Sequence, residues 1–161
     1  MQNVLLLVLF IFCGGDCARA ETFKNIFLDQ KSNARVSLAQ GGERRLTTNG
    51  RAMRVALSDD KQTAAWLVRD IWEIDGERVV AAETLMAYRS GTYRRIRCSL
   101  VIRSYWFWNG GTQLAIDCGG LHFAGTLSVY DFATDKLVDS FFQPDIPEAV
   151  RPAWSMPAEG Y

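Results

Sequence analysis

Short apolar segments separated by turn-forming residues are the dominant pattern of the chain after residue 20. The segments are rich in Val, Leu, Ile, Thr and aromatic residues. The turn signals are Asn-Gly at 49–50, Asp-Gly at 75–76, Ser-Gly at 90–91 and Asn-Gly-Gly at 109–111. Such spacing is typical of antiparallel β proteins. The pattern predicts an all-β fold, either a sandwich, a barrel or a set of propeller blades.

Two segments depart from this pattern. Residues 24–38 and 146–154 carry a weak helical periodicity, and either segment could form a short helix. All four prolines lie in residues 144–161, and proline density favours an extended C-terminal tail. This tail is interpreted in two ways, as a partner-binding segment anchored by Trp154 or as a strap that lies on its own domain with Trp154 buried.

The N-terminus has the features of an export signal. Val4–Phe12 is an apolar run of nine residues, too short to span a bilayer, and Ala18-Arg19-Ala20 resembles a cleavage site. We therefore predict that residues 1–20 are a signal peptide that is removed before Glu21. The mature protein is expected in the periplasm or outside the cell, with no membrane span, and residues 21–143 are expected to form one β domain.

Cys98 and Cys118 are the two cysteines that remain after this cleavage. In an oxidising compartment, a pair of cysteines in a small domain favours one disulfide. Two buried free thiols are the alternative.

Composition and charge limit the function. The chain has 161 residues, of which 48% are hydrophobic and 22% charged, and its formal net charge is zero. The composition is that of a globular protein, and the absence of a basic excess disfavours nucleic acid as a partner.

No motif in the sequence points to catalysis, a metal or a cofactor. The only histidine is His122, and neither nucleotide-binding nor hydrolase signatures occur. A Cys–His pair would be inert if the cysteines are bonded to each other. Several carboxylates, from Asp59 to Glu77, cluster near turns, where structural roles are the rule. We predict that the protein is not an enzyme, and an unrecognised hydrolase that uses surface carboxylates is a remaining alternative.

The chain contains an internal sequence repeat, and the repeated segments resemble a known architecture. "LSDDKQTAAW" (57–66) aligns with "FWNGGTQLAI" (107–116), and residues 84–96 align with 126–138. The turns in these segments resemble those of β-propeller blades of the TolB and WD40 type. The resemblance implies two blade-like antiparallel sheets, at about 52–97 and 101–142, in a small open structure similar to a sandwich. The number of blades is too small for a closed propeller.

The size, the export signal and the β architecture resemble those of periplasmic immunity proteins of type VI secretion effectors. This resemblance implies a non-enzymatic module that neutralises a cell-wall hydrolase by occluding its active site, so that its partner is another protein. An envelope scaffold, built from the β domain and the tail, is the alternative.

Aromatic and arginine residues are the candidates for partner binding, because such residues dominate the energy of many interfaces. Alternation along an extended strand places Arg95, Arg97 and Arg103 on one face, opposite Ile96, Cys98, Leu100 and Ile102. Three tryptophans complete the set of candidates. Trp72 lies in an apparent loop insertion at 69–79, and the other two are Trp108 and Trp154.

The aromatic run Tyr105–Trp108 conflicts with that face assignment. The internal alignment places Phe107 and therefore Tyr105 in the core, yet alternation would put Arg103 on the same face. A β-bulge near Ser104 would remove the conflict.

Overall fold

The computed structural model describes residues 21–120 and 122–157, and this part of the chain forms three antiparallel sheets. The N-terminal sheet contains β1 (Phe23–Leu28), β2 (Ala34–Leu38) and β3 (Glu43–Arg45). The middle sheet contains β4 (Ala52–Leu57), β5 (Thr63–Ile74), β6 (Glu77–Arg89) and β7 (Thr92–Arg97). The C-terminal sheet contains β8 (Val101–Trp108), β9 (Gln113–Gly119), β10 (Thr126–Asp131) and β11 (Lys136–Phe142). Strands follow one another in chain order, and no described sheet closes on itself, so the predicted open all-β fold is confirmed.

The middle sheet packs against the N-terminal sheet on one face and the C-terminal sheet on the other. It can do so because successive side chains of a strand point to opposite faces. On the middle strand β5, Trp66 points toward the N-terminal sheet and packs with Phe23 and Val36. Its neighbour Leu67 points the other way and packs with Ile116 of the C-terminal sheet. Both faces of β5 are therefore buried, which explains its continuous apolar stretch.

The weak helical periodicity of residues 24–38 does not lead to a helix, because a tight turn divides the segment into β1 and β2. The Asp29 carboxylate accepts hydrogen bonds from the backbone amides of Lys31 and Asn33, each at 2.9 Å. Ser32 has a positive φ of 56°. Aspartate favours such local side-chain to backbone bonds, and they compete with helix formation.

Residues 146–154 form no α-helix either. The tail instead makes short 3₁₀ turns at Gln143–Asp145, Glu148–Val150 and Ala153–Ser155. It lies across the outer face of the C-terminal sheet, where Trp154 packs with Trp106 and Val129. The tail is thus a strap on its own domain over the described residues.

A buried polar network joins the middle and C-terminal sheets at one end. Asp60 accepts hydrogen bonds from Ser58 Oγ at 2.6 Å and from Arg89 Nη1 at 2.8 Å. Thr63 Oγ1 donates to the carbonyl oxygen of Gly111 in the neighbouring sheet at 3.1 Å. Burial opposes the ionisation of Asp60, but the hydrogen bond from Ser58 and the pairing with Arg89 hold its pKa below the ordinary value.

A disulfide joins the same two sheets near the other end. Cys98 follows β7 and Cys118 lies on β9, and their Cα atoms are 5.7 Å apart. The predicted pairing is confirmed.

Among the described residues, no helix has the length and apolar character to cross a membrane.

Candidate functional site

Two strands of the middle sheet extend past their neighbours and form a projecting hairpin. β4 pairs with β5 as far as Val68, and β7 pairs with β6 as far as Thr84. Beyond these points, residues 70–81 have only each other as strand partners among the described residues, and we call this hairpin the arm. Its turn is Asp75-Gly76, in which both φ angles are positive, as a two-residue type I′ turn requires. The expected loop insertion at 69–79 is therefore a continuation of two strands.

The arm exposes apolar side chains on both faces. Ile71 and Val80 form a cross-strand pair on one face and are 53% and 57% exposed. Trp72 and Val79 form the next pair on the other face and are half-buried. A two-stranded hairpin is marginally stable alone, and a large exposed apolar surface is typical of a binding site. The arm is the strongest candidate contact surface in the described chain.

Alternation along β5 places the tryptophan of the arm on a defined side of the sheet. Val68, Asp70 and Trp72 are two residues apart, so they share the face that looks toward the N-terminal sheet. The partner strand β6 has a β-bulge here, because its residues 82 and 83 both lie opposite Arg69. On either side of the bulge, β6 residues still pair directly with Val68 and Asp70 of this face.

An open groove of about 530 Å³ lies on this same face, next to the base of the arm. Its floor contains Trp66, Val68 and Met86, and one wall is the chain segment 46–51 that leads from β3 to β4. The opposite wall is β7, which contributes Tyr93, Arg95 and Arg97.

Tyr93 closes one end of the groove. Its hydroxyl donates to the carbonyl oxygen of Leu46 at 3.3 Å, and its ring meets that of Trp66 edge to face, with centroids 6.2 Å apart. These contacts tie the two walls together. The groove is thus preformed at this end.

The groove is positively charged although the chain as a whole is neutral. Three arginines and one aspartate line it, a difference of two positive charges (3 − 1). Arg51 is neutralised by Asp70, with which it forms an ion pair. Arg97 is 67% exposed and only 4.0 Å from Glu83, and Arg95 is exposed with no hydrogen bond or ion pair to any described residue. Two guanidinium groups on β7 are thus available to a ligand.

The structure therefore brings Trp72, Arg95 and Arg97 to one face of the middle sheet, but it separates Arg103 from them. The single strand face expected for the three arginines is wrong, because β7 ends at Arg97 and Arg103 lies on β8 of the next sheet. Leu100, assigned to the core, is 49% exposed in the connection.

Arg103 has a structural role in the C-terminal sheet. It donates to Asp117 from Nη2 at 2.6 Å and from Nε at 3.1 Å, and its Nη1 donates to the carbonyl oxygen of Phe123 at 2.9 Å. A guanidinium engaged in this way is not free for a partner.

Trp108 and Trp154 lie on other surfaces. Trp108 is 37% exposed and precedes the turn at Asn109–Gly111. Trp154 is buried, its Nε1 donates to Asp139 at 2.9 Å, and its carbonyl oxygen accepts from Trp106 Nε1 at 2.8 Å. The tail anchor proposed for partner binding is thus occupied by its own domain.

The aromatic run has the arrangement that the bulge hypothesis predicts. The pairing of β8 with β9 shifts register between Ile102 and Ser104, and Tyr105 and Phe107 lie in the core between the two larger sheets. The Tyr105 hydroxyl lies within hydrogen-bond distance of the carbonyl oxygens of Arg54 and Ala65, which share its single proton. Burial raises the pKa of Tyr105 well above its usual range.

The histidine and the carboxylates that were considered for catalysis or metal binding do not form such a site in the described residues. Within residues 21–120 and 122–157, no three His, Cys, Asp or Glu side chains converge as a metal site would require. His122 is exposed, and Asp60 and Asp70 are engaged by Arg89 and Arg51.

Comparison of the sequence with protein-family models and with curated proteins gives no match. The site is therefore interpreted from its own geometry.

Proposed function

We propose that this protein is an exported binding module that acts by docking on another protein. The contact surface is the face of the middle sheet that carries the arm and the groove. The observation that carries the proposal is the arm, a two-stranded projection with an exposed apolar pair on one face and a half-buried apolar pair on the other.

The composition of this face supports a protein partner. Interfaces are enriched in tryptophan, tyrosine and arginine, and a few such residues carry most of the binding energy. Trp72, Tyr93, Arg95 and Arg97 lie on this one face. An apolar projection beside a charged groove offers both an anchor and a means of orienting the partner.

The partner that we propose is a secreted cell-wall hydrolase, which the module neutralises as a periplasmic immunity protein. The arm extends from Asp70 to the turn at Asp75, so it is about 17 Å long at 3.3 Å per residue. A two-stranded projection of this length can enter an enzyme cleft and exclude the substrate. The signal peptide predicted at residues 1–20 and the Cys98–Cys118 disulfide agree with a periplasmic location.

The envelope scaffold has less support. That alternative depended on a C-terminal tail free to bind other proteins, whereas the anchor of this tail, Trp154, is buried against the C-terminal sheet.

Co-purification tests the proposal. Tagged mature protein is recovered from its native envelope, and bound proteins are identified by mass spectrometry. We expect one enzyme to be enriched, and we expect Trp72→Ala to weaken its binding by about thirtyfold, the effect of a hot-spot residue of about 2 kcal/mol.

Trp108→Ala is the matched control. Thr63 of β5 lies against Gly111, and nine residues separate Thr63 from Trp72, so Trp108 is roughly 30 Å from Trp72. We expect this variant to bind normally. Recovery of no stable partner at physiological salt contradicts the proposed function, and a loss of binding for Trp108→Ala alone places the interface at the wrong end of the sheet.

A further inference from the structure

The two available arginines of the groove have a regular spacing. Arg95 and Arg97 are two residues apart on β7, so their Cα atoms are about 6.7 Å apart and their side chains project from one face. They lie along one wall of the groove, and neither is strongly paired within the described chain. A carboxylate accepts two parallel hydrogen bonds from a guanidinium group, so the pair can hold two carboxylates at this spacing.

We propose that the groove binds an extended acidic segment of the partner protein, with two carboxylates in a Glu-x-Glu arrangement that pair with Arg95 and Arg97. The inference rests on the proposed function, because it names the partner chemistry that this face accepts. A strand repeats its faces every second residue, so a Glu-x-Glu segment in extended form presents its carboxylates at the spacing of the two arginines.

The shape and surroundings of the groove favour a protein segment. Its floor is apolar at Trp66, Val68 and Met86, which suits the side-chain stems of an extended peptide. The groove offers only two available guanidinium groups, in a chain with zero net charge, whereas nucleic-acid binding relies on a broad basic surface. The side of the groove away from Tyr93 opens toward the arm, so a partner held by Trp72 can place a segment here.

The experiment uses two peptides of the same composition and the mature protein. One peptide, Ac-SSESESS-NH2, carries its glutamates two residues apart, and the other, Ac-SSEESSS-NH2, carries them side by side and so on opposite faces. Binding is followed by NMR through the Nε–H resonances of the arginine side chains. We expect the first peptide to shift the resonances of Arg95 and Arg97 at least threefold more than the second.

Variants and other anions define the alternatives. We expect the double variant Arg95→Gln/Arg97→Gln to abolish the response of the groove, and Arg45→Gln, exposed on β3 and outside both the arm and the groove lining, to leave it intact. Equal responses to both peptides, or a shift of Arg45 as large as that of Arg97, overturn the proposal. An equal response to inorganic phosphate or to a seven-nucleotide single-stranded DNA overturns it as well, because either result shows a general anion site.

The inference and the proposed function fail in different ways. If the co-purified partner still binds Arg95→Gln/Arg97→Gln as it binds the wild type, the groove proposal is wrong while the arm proposal stands. If the peptide response has the expected pattern but no partner is recovered from the envelope, the groove proposal stands and the proposed function is wrong.

Discussion

Replacement of Gly111 by alanine tests how the two larger sheets are joined. Gly111 has a positive φ of 89°, and a Cβ atom there would lie 2.6 Å from Ser58 Cβ and 2.8 Å from Asp60 Oδ1. Ser58 is fully buried, so it has no free space into which to move. The substitution therefore disturbs the network that links the turns of the two sheets.

The expected cost has two parts. Alanine at positive φ costs about 1–2 kcal/mol. Forced overpacking in a buried contact adds about 1–3 kcal/mol. The total is about 3 kcal/mol or more, and for a domain of this size it lowers Tm by roughly 10 °C.

The neighbouring glycine provides the control. Gly110 also has a positive φ, 64°, but a Cβ atom there would meet nothing within 4 Å. Gly110→Ala should carry the backbone cost alone and lower Tm by about 4 °C. The assay is thermal unfolding followed by circular dichroism. Equal losses for the two variants would refute the packing argument, because the contact with Ser58 and Asp60 would then contribute nothing.

Three other changes test the stability account. Replacement of both Cys98 and Cys118 by serine should cost about 3 kcal/mol in urea unfolding, the chain-entropy value for a loop of this length; an unchanged midpoint would contradict it. Trp154→Ala should cost about 3–5 kcal/mol, because the side chain is buried, whereas Trp72→Ala should cost less than about 1 kcal/mol; the reverse order would show that the arm, and not the strap, is structural. Asp60→Asn should destabilise the protein at pH 7, and its difference from the wild type should shrink as the pH falls below about 4. The sign follows from the lowered pKa of Asp60 in the folded state, whose contribution is present above the unfolded pKa and lost as the folded carboxylate is protonated. A difference that stays constant down to pH 2 would contradict this cause.

The order of strands could be predicted from local signals. Asp75-Gly76 and Ser90-Gly91 both have positive φ angles and form the tight hairpin turns that their sequences favour. The bulge in β8 also followed from local reasoning, because two face assignments conflicted and one extra residue removed the conflict. These features depend on neighbours in the chain.

The features that were not predicted depend on contacts between distant segments. The N-terminal sheet is an exception, because the segment 24–38 has a helical periodicity that a local hydrogen bond from the Asn33 amide to the Asp29 side chain overrides. Arg103 was assigned to solvent because its partners, Asp117 and Phe123, are far along the chain. The groove depends on the wall at 46–51, and no local pattern places that segment opposite β7.

The arm lies between these two cases. Trp72 was a candidate because aromatic residues carry much of the binding energy of many interfaces and it lies in an apparent insertion. A single sequence does not show that β5 and β6 continue past their neighbours, since that depends on where β4 and β7 stop pairing. One clue was available, the Asp-Gly turn at 75–76 between two segments that contain apolar residues, which is typical of a hairpin.

Hydrogen–deuterium exchange on the complex with the co-purified partner tests the central claim most directly. If the protein acts through the face that carries the arm and the groove, binding should slow exchange in residues 70–81 and 92–97 and leave the turn at 109–111 unchanged. Protection confined to the turn end of the sheets, with the arm exchanging as in the free protein, would contradict the account.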